Sequence, residues 1–100
     1  MRQFAVREVG TLADAHAALE SPFQWILLDL MLPDGNGMEV LRRIKRDRLG
    51  ARVCVMSGCC TEMFDEARVY GAEETLVKPI DVDYVLDLLR DDVPPDPARA

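Results

Sequence analysis

The sequence predicts an α/β protein, a parallel sheet of four strands with four helices. Two observations carry that prediction. Apolar, strand-like runs alternate with amphipathic segments of helical period, the order that strand–helix–strand units produce. The run Trp25-Ile26-Leu27-Leu28-Asp29-Leu30 is also apolar on both of its alternating sets, as a strand covered on both faces requires. Parallel strands need right-handed crossovers, and ligands of such sheets bind beyond the carboxyl ends of the strands.

Each element follows in order. Phe4-Ala5-Val6-Arg7-Glu8-Val9 reads as a first strand whose mixed polarity suits a sheet edge. Thr11 is placed to cap a helix running to about Glu20, with Leu12, Ala15 and Leu19 on one face, and Ser21-Pro22 stops it. Trp25 to Leu30 is the second strand. A Pro/Gly-rich loop then leads into a helix from about Gly37 to Arg48, with Met38, Leu41 and Ile44 inward. Arg52 to Met56 is the third strand. Thr61 opens a helix carrying Met63, Phe64, Ala67 and Tyr70, and Gly71 ends it. Thr75-Leu76-Val77 is the fourth strand, and Asp81 caps a last helix with Val82, Val85, Leu86 and Leu89 inward. Residues 1–93 read as one domain and 94–100 as a Pro-rich tail.

Composition excludes several classes. Half the chain is hydrophobic (49%), which argues for a folded core. A net charge of −6 and an isoelectric point near 4.6 argue against an electrostatic hold on nucleic acid or an anionic membrane. The apolar runs are far shorter than a membrane span, and the start does not read as a signal peptide. The three cysteines, Cys54, Cys59 and Cys60, fit reduced thiols and a cytoplasmic location. The basic run from Arg42 to Arg48 wraps the polar side of a helix and reads as a solvated face. His16 reads as exposed on its helix.

An acid within an apolar run is costly unless it has partners. The second strand ends near Asp29, the third at Ser57 and the fourth at Lys78, so the fold converges a carboxylate, a hydroxyl and an ammonium at one end of the sheet. The trio suits an anionic group carried by Asp29, whose charge the lysine would offset and to which the serine would donate a hydrogen bond. An aspartate can attack a phosphoryl group and form an acyl phosphate. A plain Asp29–Lys78 ion pair beside a serine in a turn accounts for the same spacing.

From Phe4 to about Arg90 the chain resembles the receiver domain of bacterial response regulators, the CheY-like family with its flavodoxin-like sheet. "LLDLMLPDGNG" looks like the phosphoacceptor loop, with Asp29 as acceptor, Pro33 four residues on and Gly37 eight on. "VMSG" looks like the strand end that carries the phosphoryl-binding hydroxyl, here Ser57. "GAEETLVKP" looks like the stretch ending in the family's Lys-Pro, here Lys78-Pro79, whose peptide is expected to be cis.

The resemblance implies a two-component signalling module that takes part in a phosphorelay, not an enzyme. The alternative is a phosphatase or hydrolase using Asp29 as nucleophile; no second acid stands two residues on, where Met31 lies. The family opens with a strand ending in a pair of acids, followed by a helix, and this chain is expected to be N-terminally truncated with respect to both. In the family those acids bind Mg²⁺ with the acceptor and a backbone carbonyl, here that of Met31. With Asp29 the one evident carboxylate, Mg²⁺ binding is expected to be weak and phosphorylation impaired; Glu8 and Asp34 are alternative ligands, but both read in preference as solvated surface. The family's aromatic switch position is Thr75 here. A sheet lacking a strand and its covering helix is expected to leave an apolar face bare and to self-associate as a twofold homodimer. A sensor histidine kinase or a full-length response regulator are the other expected partners.

Overall fold

In the computed structural model the described residues are 6–59 and 61–90. Phe4, Ala5, Cys60 and the Pro-rich tail lie outside them. The elements are helix α1 (Leu12–Ala18), strands β1 (Trp25–Asp29), β2 (Met31–Leu32) and β3 (Gly35–Asn36), helix α2 (Met38–Arg46), strand β4 (Arg52–Ser57), a 3₁₀ turn (Thr61–Met63), helix α3 (Phe64–Val69), strand β5 (Glu74–Val77) and helix α4 (Val82–Leu89).

The main sheet is parallel and, among the described residues, has three strands in the order β1-β4-β5. The expected first strand is the difference. Val6 to Val9 carry no strand and are exposed. Strand propensity without a partner to pair with does not make a strand, and nothing among the described residues pairs there. A second feature lay outside the sequence reading: the loop after Asp29 folds into a two-strand antiparallel hairpin, Met31 opposite Asn36 and Leu32 opposite Gly35.

The local signals explain the helix ends. Thr11 accepts from the Asp14 N–H at 3.1 Å and caps α1. Asp81 accepts from the Tyr84 N–H at 3.3 Å and caps α4. Gly71, just beyond the end of α3, adopts φ +97°, a conformation open to glycine and strained for other residues.

Helices α1, α2 and α3 share one core with the sheet. Leu12, Leu19, Leu28, Leu30, Met38, Val40, Leu41, Ile44, Val53, Val55, Phe64 and Ala67 are its buried members. A fully buried aliphatic side chain of this kind contributes about 2 kcal/mol. Helix α4 covers the opposite face, where the Tyr84 hydroxyl donates to Glu74 at 2.8 Å; Glu74 is the strand partner of Cys54, so Cys54 faces this side. Leu27, the β1 partner of Cys54, shares that face and is 38% exposed. On this face Cys54 of β4, 1% exposed, is better covered than Leu27 of β1, and Val82, expected inward, is 66% exposed. Beside β1 lies a cleft of about 550 Å³, with Trp25, Leu27 and Leu89 among its lining residues.

Candidate functional site

The site begins with strand register. Asp29, the last residue of β1, is opposite Met56, and Ser57, the last residue of β4, is opposite Val77. Lys78 follows directly. The Lys78 N–H donates to the Ser57 carbonyl at 3.0 Å, which holds the lysine at the edge of the same rim. The register thus brings Asp29, Ser57 and Lys78 to the carboxyl end of the sheet.

Two of the side chains meet there. Lys78 Nζ pairs with Asp29 Oδ2. Asp29 Oδ1 accepts from the Met31 N–H at 2.8 Å. The Asp29 carboxylate is 24% exposed and the Lys78 side chain 41%, so an incoming group can reach both. Partial burial pulls the Asp29 carboxyl upward. The hydrogen bonds from Lys78 and Met31, with the lysine's charge, outweigh it and hold the acid below its ordinary range. Ser57 is fully buried, and its Oγ accepts from the Cys59 N–H at 3.3 Å. The peptide joining Lys78 to Pro79 is cis.

The loop between β1 and α2 fits tightly under Asp29. Gly37 donates its N–H to the Leu30 carbonyl at 2.9 Å, and a Cβ at position 37 would stand 2.2 Å from the Asp29 carbonyl oxygen. Only glycine tolerates that approach. Pro33 and Asp34 form the exposed turn between β2 and β3. Two polar residues of this loop were not singled out by sequence reasoning for the work they do. Asn36 accepts from the Met38 N–H at 2.8 Å and opens α2. Asp34 reaches back to α1, where Oδ1 accepts from the Leu12 N–H at 2.7 Å and Oδ2 from the Ala13 N–H at 3.2 Å. The Asn-Gly pair before a helix was a signal for the first. The second joins residues 22 apart in sequence and has no local signature.

Asp34 was weighed as a substitute metal ligand and read in preference as solvated surface. It is committed instead to the first amides of α1, and those bonds hold its carboxyl below the ordinary range. Glu8 is exposed on the wall of the cleft. Among the described residues, no group of three or more His, Cys, Asp or Glu side chains is arranged to hold a metal ion. The donors at the site are the Asp29 carboxylate, one oxygen of which is already paired with Lys78, and the exposed Met31. This set does not fit a strong octahedral Mg²⁺ site. Thr75 is half-buried on β5, and its Oγ1 accepts from Arg68 of α3 at 2.8 Å.

A parallel sheet whose strand ends present an ion-paired aspartate, a buried serine and a lysine before a cis proline defines a receiver-type signalling module. The sequence matches the response regulator receiver domain family over residues 1–90, and the chain belongs to that family. It is 34% identical over 73 residues to the response regulator ArlR of Staphylococcus saprophyticus, an alignment that covers 73% of this chain and 33% of ArlR. The chain thus spans about a third of the length of that curated relative. Among solved structures it resembles the receiver domain of NtrX from Brucella abortus (TM-score 0.78, 23% identity, covering 88% of this chain and 77% of that one). It also resembles a response regulator protein from Burkholderia pseudomallei solved with a phosphorylated aspartic acid, calcium ion and citrate (TM-score 0.73, 22% identity, covering 90% and 59%). At those identities the two structures speak for the fold. No helix among the described residues is long and apolar enough to cross a membrane.

Proposed function

We propose that this receiver domain accepts a phosphoryl group on Asp29 and acts through protein contacts. The observation that carries the reading is the Lys78–Asp29 pair, formed at the strand ends beside Ser57. In the step, an Asp29 oxygen bonds to phosphorus while the bond from phosphorus to the donor's leaving group breaks, and the bonding pair departs with that group. Lys78 passes from the free carboxylate to the new phosphoryl oxygens, and Ser57 donates its hydroxyl to one of them. The phosphorylated aspartic acid of the Burkholderia pseudomallei structure lends the reading support by fold.

Mg²⁺ binding is weak in this reading and phosphoryl transfer correspondingly slow, because Asp34 serves α1 and Lys78 occupies one oxygen of Asp29. No step is assigned to the metal. The donor is a sensor histidine kinase, a full-length response regulator is a second partner, and the setting is the cytoplasm. A phosphate-affinity gel with acetyl phosphate tests the acceptor. Slow labelling that disappears in Asp29→Ala supports it, and labelling that survives that substitution refutes it.

The same reading includes self-association as a twofold dimer. β1 is an edge strand among the described residues, it carries the uncharged run Trp25-Ile26-Leu27-Leu28, and Leu27 is exposed at its centre. Apolar edges of this kind pair with further chains unless charge or proline blunts them. Light scattering at micromolar concentration is expected to give the dimer mass for the native chain and the monomer mass for Leu27→Lys. A native chain that stays monomeric refutes this part of the proposal.

A further inference from the structure

The hairpin after Asp29 has two anchors. At its base, Asp29 Oδ1 holds the Met31 N–H at 2.8 Å. At its tip, Asp34 holds two amides of α1. The tip also packs on that helix, since a Cβ on Gly35 would stand 2.6 Å from Leu12 Cδ1. Between the anchors lie only two paired rungs, Met31 with Asn36 and Leu32 with Gly35. A hairpin this short has little stability of its own and takes its position from its contacts.

We propose that Asp34 is a positioning residue. By gripping the start of α1 it fixes the hairpin that presents the Met31 N–H to Asp29, and α1 is in turn the element that responds when the Asp29 carboxylate is altered or loaded. The functional meaning rests on Asp29 being the acceptor; the mechanical link does not. Helix α1 has seven residues, too few to be stable alone, and a helix that short depends on its end contacts. Thr11 serves the Asp14 N–H, and Asp34 serves the two amides before it. Coupling between two sites is reciprocal, so a disturbance at either anchor must be felt at the other.

The test is amide hydrogen exchange by NMR on the full chain, with each rate taken relative to the Val55 amide in the sheet. Asp34→Ala is expected to lower protection about fivefold at Leu12 and Ala13 and also at Met31. Thr11→Ala removes the cap on the Asp14 N–H but keeps both Asp34 bonds, and is expected to lower protection at Met31 much less than Asp34→Ala does. A plain cap predicts that Asp34→Ala acts on α1 alone, and that result overturns the proposal. Should Asp34→Ala not fold, Asp34→Asn keeps one acceptor and puts an NH₂ against the Ala13 N–H, with a smaller loss in the same direction expected at Met31. The converse variant, Asp29→Ala, is expected to lower protection at Leu12 and Ala13; unchanged rates there refute the coupling. A failure of phosphoryl transfer removes the acceptor role of Asp29 and leaves these exchange ratios unaffected, so the two ideas fail separately.

Discussion

Gly37 lies so close to the carbonyl oxygen of Asp29 that a side chain at this position has no place, the Cβ falling 2.2 Å from that oxygen. The contact is with backbone, which cannot swing aside as a flexible side chain would. Gly37→Ala is therefore expected to destabilise the domain by about 2–3 kcal/mol, the usual range for a forced overlap in a packed region. Urea denaturation gives the difference directly. A shift within a few tenths of a kcal/mol would mean that the loop moves freely and does not set the position of Asp29.

The Asp29–Lys78 pair makes stability depend on pH in a defined direction. The Asp29 carboxyl titrates near 3.8 when unperturbed and lower in the folded domain. Its contribution is present above 3.8 and is lost as the pH falls through the lowered folded value, because the unfolded chain then binds its proton first. Lys78→Met removes the lysine's part of that shift. The native chain is expected to have the higher urea midpoint at pH 7, and the gap is expected to narrow below pH 3.8. Midpoints that keep a constant gap down to the acid limit would show that the pair is not the source.

The two described cysteines are expected to differ in reactivity. Burial pushes the Cys54 thiol up to about 12, with the Glu74 carboxylate adding to the rise, whereas Cys59 is exposed. Since the thiolate is the nucleophile, iodoacetamide at pH 8 is expected to modify Cys59 many times faster than Cys54. Peptide mass mapping over a time course reads the order. Equal rates would place Cys54 outside the sheet core.

Leu41 tests the core that positions the site. It is 1% exposed on the inward face of α2, the helix that the acceptor loop leads into. Leu41→Ala is expected to cost about 3 kcal/mol through lost burial and the cavity left behind. Denaturant unfolding measures it, with the slope unchanged if only stability is altered.

The elements that depend on neighbours in sequence were legible. Trp25 to Leu30 announced a strand through its near-continuous apolar run, although only part of that strand is buried, and Thr11 and Asp81 announced helix starts as capping residues. Asp29, Ser57 and Lys78 were legible as strand ends once the alternation was read, because parallel strands in register carry their ends to one rim. What escaped depended on distant partners. The grip of Asp34 on α1 joins residues 22 apart and looks, in sequence, like any acid in a turn. Val6 to Val9 has the composition of a strand, yet strand structure needs a pairing partner, which composition does not supply. The 38% exposure of Leu27 agrees with the expected bare apolar face, an expectation that came from the resemblance and not from any local sign.

In the proposed role, Asp29 receives the phosphoryl group under the hold of Lys78. Its most direct measurement is site mapping by mass spectrometry after incubation with acetyl phosphate, across a titration of Mg²⁺. The expected modification is confined to Asp29, accumulates slowly at every Mg²⁺ concentration tested and is lost in Lys78→Ala. A modification on another residue, or rapid stoichiometric labelling of Asp29 at micromolar Mg²⁺, would contradict it.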